Sequence, residues 1–508
     1  MDSSALAILL SLLFTALLAF AACLLLLPSD RSHRQRLPPG PLPLPIIGSL
    51  HLLGDLPHRG LRCFSARYGP IMSIRLGLVP TVVVSSPEAA RLFLGTHDAV
   101  FASRPRSPEA ELDFYTTKGL VFTEYGPYWR SVRKLCNTHL LSGARVRSFE
   151  GVRREEAGEL VASLREAAAA CKAAVDLSAR VARTMEEMAC RMILGRSTDG
   201  EHDLKGIIQE AARVAGAFNL ADFVPFLRPL DLQGSTRRFK AVRRSVDKLL
   251  EKIIDDHVRD AAYYDSEHQE DFIDILLSMM NQPIDPREEK YIIDRTNIKA
   301  IILDMISGSF ETSSTSIDWA FSELMRNPQA MARLQEELET VVGLTRMVEE
   351  SDLSKLNYLD MVAKESMRLH PVIPLLVPRE SMEDAIINER FIPKKSQIIV
   401  NIWAIGRDPS VWSENAEEFV PERFADNGID VKGHHFELLP FGSGRRGCPG
   451  IQLGLIQVKF VLAQLAHCFK WELPKGMVPS DIDMSERFGL SVPRANHLFA
   501  VPTYRLLV

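Results

Sequence analysis

The clearest chemistry in this sequence belongs to a cysteine in a glycine-rich loop near the C-terminus. The segment FGSGRRGCPG spans residues 441–450 and places Cys448 beside two arginines, just before an apolar helix pattern. The glycines let the backbone approach a flat ring and turn its amides toward the sulfur. Amide hydrogen bonds and nearby positive charge favour the thiolate, the form that binds metal. The loop therefore predicts that Cys448 binds haem iron, where a thiolate favours cleavage of the O–O bond.

The same ten residues fit the pattern F-x-x-G-x-R-x-C-x-G. A lone cysteine is more often a small buried apolar residue, but five fixed positions within ten residues favour the functional interpretation. The segment resembles the haem-binding loop of the cytochrome P450 monooxygenases. The resemblance implies haem b as cofactor, Cys448 as the axial ligand of its iron, and Phe441 and Arg446 as further parts of the haem site.

A run of small and hydroxyl residues, SGSFETSST, interrupts an apolar helix pattern that extends from residue 287 to 327. Hydroxyls can bond the carbonyl four residues earlier, so a local widening of the helix that holds O₂ is one interpretation. An exposed segment or close helix packing is the other. With the cysteine loop present, the run resembles the family's oxygen-binding groove. This implies that Thr312 holds oxygen and relays a proton, with Glu311 beside it, although Ser309 and Phe310 depart from the pattern.

Glu365 and Arg368 form an E-x-x-R motif, and on a helix such a pair shares one face. Exposed pairs of this kind are common and contribute little to stability. The resemblance instead implies a buried structural network of Glu365, Arg368 and Arg423, the last from the segment PERF. Its predicted role is to fix the fold of the cysteine loop.

The two propionates of haem need cationic donors. By resemblance, Trp129 and Arg133 of the W-x-x-x-R motif contact one propionate. Arg446 and Arg379 are further candidates, and Arg379 taken alone also fits a surface arginine.

The family's pocket-lining segments fall at residues 104–122, 303–312, 372–377 and 487–492. Their candidate side chains are apolar or aromatic, which suits a hydrophobic ring compound or a terpenoid held without a salt bridge. Each also fits an ordinary core position. The candidates are Phe114, Phe122, Ile306, Phe310, Val372, Leu376, Phe488 and Leu490.

The N-terminus predicts a membrane anchor. Residues 5–27 carry no charge, and about 20 apolar residues suffice to span a bilayer as a helix. Arginines follow the run, which places the rest of the chain in the cytosol by the positive-inside rule. A cleaved signal is the alternative, but no Lys or Arg precedes the run. We therefore divide the chain into an anchor with its basic flank (1–36), a proline-rich hinge (37–46) and a haem-thiolate monooxygenase domain (47–508).

Composition and patterning predict a mainly α fold with a small β part. The 508 residues carry a net charge of −5, so nothing points to nucleic acid. Seven cysteines without a close pair fit a reducing, cytosol-facing body. The expected architecture is the cytochrome P450 fold, a single large catalytic domain behind the transmembrane helix. The patterns predict strands at 71–77, 81–85, 390–399 and 498–507, helices at 152–174 and 235–262, and a surface loop at 281–289.

The resemblance covers essentially the whole chain. Several segments, such as FGSGRRGCPG and GSFETSS, are similar in sequence to the plant A-type group of this family. It implies an endoplasmic reticulum enzyme that hydroxylates a phenolic, flavonoid-type or terpenoid plant metabolite with O₂. Electrons would come from NADPH–cytochrome P450 reductase, because no G-x-G-x-x-G fingerprint follows a predicted strand and opens a helix, as dinucleotide binding requires. The candidate reductase-docking residues, which equally fit a solvated charged face, are Arg130, Arg133, Lys134, Arg445 and Lys459.

Three alternatives remain at this point. The first is a haem-thiolate isomerase or dehydratase that uses neither O₂ nor NADPH. The second is a non-catalytic membrane haem protein, and the third is an anchored scaffold without haem. The hydroxyl at Thr312 counts against the first two, because oxygen handling needs it and mere binding does not.

Overall fold

A computed structural model describes residues 37–106, 117–170, 174–197, 219–261, 269–285 and 288–507, with isolated positions between 11 and 15 and between 206 and 214. The predicted anchor and its basic flank lie outside the described residues, apart from Ser11, Phe14 and Thr15. The pocket candidate Phe114 also lies outside them.

The described chain is mainly helical, as the sequence predicts. Short helical turns connect several elements, and two π-helical segments, Leu92–Thr96 and Cys136–Leu140, continue the second and third helices. In chain order the helices are α1 Pro57–Tyr68, α2 Pro87–Arg91, α3 Pro127–Leu135, α4 Gly143–Ser148, α5 Glu150–Ala169, α6 Leu177–Leu194, α7 Leu220–Phe223, α8 Ser235–Asp260, α9 Phe272–Ser278, α10 Arg295–Arg326, α11 Pro328–Val342, α12 Asn357–Leu369, α13 Ile402–Ile405, α14 Pro409–Trp412 and α15 Ile451–Cys468.

The strands form small sheets at the edge of the helical body. The largest has the order β1-β2-β9-β6, in which only β2 and β9 are parallel; a second has the order β10-β11-β3. Two hairpins, β4-β5 and β7-β8, complete the described β structure. The strands are β1 Ile71–Leu76, β2 Val79–Val84, β3 Val175–Asp176, β4 Pro283–Asp285, β5 Glu288–Ile292, β6 Arg379–Glu380, β7 Ala385–Ile387, β8 Arg390–Ile392, β9 Gln397–Val400, β10 Phe469–Glu472 and β11 Phe499–Tyr504.

Helix α10 runs through the centre of the fold. Asp294 and Asn297 start it with a reciprocal capping box, in which each side chain accepts the other residue's backbone N–H. Successive residues such as Ile301 and Ile302 are both buried, so the helix is enclosed rather than half-exposed. It ends before Pro328, since a proline disfavours helical geometry in the residue that precedes it.

Helix α15 follows the cysteine loop directly and packs against α10. It is long and apolar enough to cross a membrane, but 67% of it is buried inside the protein, which is typical of a core helix. Together α6, α10 and α15 contain much of the largest hydrophobic cluster. The cysteine loop is therefore attached to a rigid part of the core.

The prediction of a surface loop at residues 281–289 is wrong. The chain there forms the hairpin β4-β5, with Pro283 paired to Ile292. Lys134 donates to Asp285 at 2.8 Å, and the rings of Tyr128 and Tyr291 meet edge to face. These contacts with α3 supply interactions that the local polar sequence does not reveal.

Candidate active site

Backbone hydrogen bonds shape the cysteine loop. The Cys448 N–H donates to the Phe441 carbonyl at 2.9 Å, and the Gly447 N–H donates to the Gly444 carbonyl at 3.0 Å. Gly444 has a φ of +67°, and a Cβ there would lie 2.4 Å from an Asp98 carboxylate oxygen and 2.5 Å from the Leu94 carbonyl. Only glycine fits this position, because both its φ and its surroundings exclude a side chain.

The Cys448 thiol lies deep in the protein, yet its side chain is accessible to solvent, so it faces open space inside the fold. Burial raises the pKa of this thiol above its ordinary value, while a hydrogen bond from the Gly450 backbone and the charge of Arg133 lower it. Burial outweighs the other two influences. A nearby cation would lower the pKa of this thiol again, since positive charge favours the thiolate.

The hydroxyl-rich run lies in the middle of α10, where Ser307 and Gly308 are exposed although the residues before them are buried. A Cβ at Gly308 would meet nothing within 4 Å, so the helix borders open space here. The Thr312 hydroxyl donates to the Gly308 carbonyl at 2.9 Å. The helix nevertheless stays α-helical from Arg295 to Arg326, so the local widening suggested by the sequence is absent from this described segment.

Hydrogen bonds bring the pocket-lining segments to α10. The Ser491 hydroxyl donates to the Glu311 carboxylate at 2.5 Å, and the Val492 N–H donates to the Val372 carbonyl at 2.8 Å. About two turns earlier on α10, the Asp304 carboxylate accepts the Val121 N–H at 3.0 Å. The loops of Val372 and Ser491 therefore meet α10 at Glu311, and the loop of Val121 meets the same helix about two turns earlier, at Asp304.

The predicted pocket side chains have different surroundings. Ile306 and Phe310 are buried and belong to the main hydrophobic cluster. Phe122, Phe488 and Leu490 are 40%, 43% and 39% exposed, so they are not core residues. Val372 and Leu376 are half-buried, and Leu376 has a φ of +50°, which is unusual for a branched residue.

Arginines surround the space in front of the cysteine loop. The Arg446 guanidinium lies 4.1 Å from the centre of the Trp129 ring, and Trp129 donates its indole N–H to the Leu120 carbonyl at 2.9 Å. Burial, followed by the charges of Arg379 and Arg133, lowers the pKa of Arg446 to about 9. Arg133 donates to the Gly447 carbonyl at 2.7 Å and so contacts the loop itself.

Arg104 is a member of this cluster that the sequence did not identify. It is buried and donates to the carbonyls of Val377 and Pro378 at 2.6 and 2.8 Å. Burial, with the nearby charges of Arg446 and Arg379, lowers its pKa well below the usual value. Nothing in its local sequence separates it from an ordinary surface arginine; only the fold places it here.

The charges of this cluster fit haem. Three buried guanidinium groups, those of Arg104, Arg379 and Arg446, are accompanied in the described part of the chain by one hydrogen-bonded carboxylate, that of Asp98. Arg445 pairs with the same carboxylate, so the positive charge of the cluster exceeds its negative charge, which suits the two propionates of haem. A thiol facing open space and a cluster with excess positive charge are the donor set that haem requires.

Glu365, Arg368 and Arg423 are brought together behind the loop. Arg368 and Glu365 form a fully buried pair with two N–O contacts of 2.7 Å, and Arg423 donates to the same carboxylate at 3.0 Å. Arg368 also donates to the carbonyls of Gly406, Ala416 and Glu418. The network therefore connects α12 to the chain between β9 and the cysteine loop.

Known proteins resemble this chain along almost its whole length. The family model for Cytochrome P450 matches residues 38–500. Cytochrome P450 CYP736A12 of Panax ginseng is 56% identical, covering 97% of this chain and 99% of the relative. Cytochrome P450 750A1 of Pinus taeda is 42% identical over 98% of this chain and 96% of its own length. Desmethyl-deoxy-podophyllotoxin synthase of Sinopodophyllum hexandrum is 39% identical over 97% and 96%.

Proposed function

This chain belongs to the cytochrome P450 family of haem-thiolate monooxygenases, and we propose that it hydroxylates a hydrophobic plant specialised metabolite, with Cys448 as the axial ligand of the haem iron. The observation that carries the proposal is the accessible Cys448 thiol in its glycine-rich loop, with buried arginines beside that loop. A haem bound through a thiolate supplies the iron centre that cleaves the O–O bond of O₂.

The residues around the loop bind and orient the cofactor. We assign Arg104, Arg379 and Arg446 to the propionates, since their charges exceed those of their protein partners. Arg133 approaches the loop at Gly447 and supports the thiolate by its charge. Trp129 holds Arg446 by stacking against it, and Phe441 fixes the loop by accepting the Cys448 N–H. The network of Glu365, Arg368 and Arg423 keeps this arrangement rigid.

Thr312 and Glu311 are the proposed proton path. The Thr312 hydroxyl borders open space and can exchange its bond to the Gly308 carbonyl for a bond to oxygen or water. Glu311 lies next to it and accepts a hydrogen bond from Ser491. A hydroxyl that both donates and accepts, beside a carboxylate, can move a proton to the reacting oxygen.

The substrate proposed is a phenolic, flavonoid-type compound or a terpenoid. Partly exposed apolar side chains at Phe122, Phe488 and Leu490 support an apolar binding surface near α10. A relative named as a synthase of desmethyl-deoxy-podophyllotoxin supports a specialised metabolite as the class of product.

Members of this family use a redox partner, and we propose NADPH–cytochrome P450 reductase for this chain. Of the candidate docking residues, Lys134 pairs with Asp285, Arg445 with Asp98 and Lys459 with Asp360. These ion pairs weaken the positive field that a docking surface needs, so Arg130 is the candidate we retain.

We further propose that residues 1–36 anchor the protein in the endoplasmic reticulum membrane, that residues 37–46 are the hinge, and that residues 47–508 face the cytosol as the catalytic domain. An apolar face supports this orientation. The Leu78 N–H donates to the Phe223 carbonyl at 2.8 Å, and the Gly77 N–H donates to the Ile47 carbonyl at 3.2 Å, which joins the residue just after the hinge, the β1-β2 turn and the end of α7. The exposed side chains of this membrane-facing surface are Leu42, Leu44, Ile47, Leu78, Phe226, Leu230 and Leu232.

The test is turnover in yeast microsomes that contain this chain and a plant reductase, with Cys448→Ala as control. Pools of phenylpropanoid or flavonoid compounds and of terpenes are offered separately. We expect a product heavier by one oxygen that needs NADPH and is absent with Cys448→Ala. The absence of both product and a thiolate-type carbon monoxide spectrum in the wild-type protein would overturn the proposal.

A further inference from the structure

Asp98 is a buried carboxylate that no sequence motif identified. It follows the π-helical segment Leu92–Thr96, and its side chain is 5% exposed. One carboxylate oxygen accepts from the Arg379 guanidinium at 2.6 Å. The other accepts from the backbone N–H of Arg445 at 3.0 Å and from its guanidinium at 2.9 Å. A charged acceptor with three donors is strongly held in one orientation.

These contacts connect Asp98 to both sides of the haem site. Arg445 lies in the cysteine loop, three residues before Cys448, whereas Arg379 begins β6. Arg379 also donates to the Ser443 carbonyl at 2.6 Å, so it contacts the cysteine loop directly as well as through Asp98. The loop comes this close to Asp98 because Gly444 has no side chain. A Cβ at this position would lie only 2.4 Å from an Asp98 carboxylate oxygen.

We infer that Asp98 is a positioning residue for the cofactor: it fixes the cysteine loop against β6, holds Arg379 in the guanidinium cluster, and by its charge lowers the reduction potential of the bound haem. This inference rests on the proposed function. Asp98 is the carboxylate that offsets the positive charge of Arg379 and Arg445 beside the cysteine loop. Without Asp98, an uncompensated cation would remain beside the cofactor, and a nearby positive charge favours the reduced iron.

The test compares Asp98→Asn with the wild type and with Asp426→Asn, a matched change at an exposed aspartate. Haem loss to a haem-free acceptor protein and the reduction potential are measured on the haem-loaded full chain. Loss of a buried charge-assisted bond is expected to speed haem release in Asp98→Asn by about tenfold or more and to make the potential more positive. Asp426→Asn should match the wild type.

A second variant keeps the test decisive if Asp98→Asn is not recovered folded. Arg445→Gln removes the exposed cation that pairs with Asp98, so its potential should shift in the opposite, negative direction. A purely structural role predicts no such reversal of sign. Unchanged haem release and unchanged potentials in the recovered variants would overturn the inference while leaving the function intact. A wild-type protein without a thiolate-type carbon monoxide spectrum would instead overturn the proposed function.

Discussion

At the scale of single residues, Arg368 shows how much a buried side chain here depends on its exact chemistry. An arginine has five N–H donors. In Arg368 each of them is used: two bind Glu365, and three bind the carbonyls of Gly406, Ala416 and Glu418. A lysine offers three donors from one point and cannot reproduce this fork.

We therefore expect Arg368→Lys to lower the free energy of unfolding by about 3–5 kcal/mol, because it leaves part of a buried carboxylate and several carbonyls without partners. Thermal unfolding and the yield of haem-loaded protein measure this. The matched control is Arg390→Lys on the exposed hairpin β7-β8, which should unfold like the wild type. An Arg368→Lys protein as stable as this control would contradict the prediction.

Thr312 provides a prediction about turnover. Thr312→Val keeps the shape of the side chain but removes the hydroxyl that now donates to Gly308. We expect NADPH consumption to continue while the product formed per NADPH falls by about tenfold or more, because the proton path is lost. Thr312→Ser keeps the hydroxyl and should retain most of the coupling. Equal coupling in Thr312→Val and the wild type would remove Thr312 from the mechanism.

At the scale of elements, a buried histidine joins three helices. His257, near the end of α8, contacts the Ile253 carbonyl at 2.7 Å and the Asp271 carboxylate at 2.8 Å. Asp271 also caps the start of α9. It lies close to Gly195 at the end of α6, where an added Cβ would lie 2.1 Å from an Asp271 carboxylate oxygen. Both His257 nitrogens face acceptors, which favours the doubly protonated imidazolium.

The contact between His257 and Asp271 makes the free energy of unfolding depend on pH. Burial would lower the pKa of His257, but the hydrogen bond and charge of Asp271, with smaller contributions from Ile253 and Asp274, raise it above the ordinary 6.5. A raised folded-state pKa gives stability that is fully present below pH 6.5 and is lost as the pH rises through the folded value. We therefore expect the free energy of unfolding of the wild type, measured with urea, to fall as the pH rises above 6.5.

His257→Gln should remove this pH dependence, since glutamine does not titrate. His497→Gln is the control, because His497 also pairs with an aspartate, Asp176, but at an exposed site. If the free energy of unfolding of His257→Gln depended on pH as that of the wild type does, the contact between His257 and Asp271 would not be the cause of this dependence.

The sequence predicted some elements better than others, for physical reasons. The strongly periodic helix α8 was predicted within a few residues at both ends. The end of α10 was predicted equally well, but its capping box starts the helix at Arg295, later than the pattern that began at residue 287. The hairpin β4-β5 was missed because contacts with α3 stabilise it. Local motifs predict a role for Cys448, whereas Arg104 and Asp98 carry no local signal, and the roles that we propose for them depend on the residues that the fold places beside them.

At the scale of the whole molecule, the proposed membrane-facing surface would give the proposed anchored domain one orientation. Its apolar side chains lie on three segments that backbone hydrogen bonds hold together, from the hinge to the residues after α7. A single anchor leaves a domain free to rotate, whereas a second apolar contact restricts it. The surface should therefore bind a bilayer even without residues 1–36.

We expect a chain that starts at residue 37 to bind phospholipid vesicles and to lose about tenfold or more in affinity when Phe226 and Leu230 are both changed to serine. Both side chains are more than half exposed, and burial of such a side chain in an apolar phase contributes about 1.5–3 kcal/mol. Vesicle co-sedimentation measures the affinity. Ile386→Ser is the matched control, since Ile386 is 62% exposed on the hairpin β7-β8, away from these three segments in sequence. Equal losses in the control and the double variant would show that general hydrophobicity, and not this surface, holds the domain to the membrane.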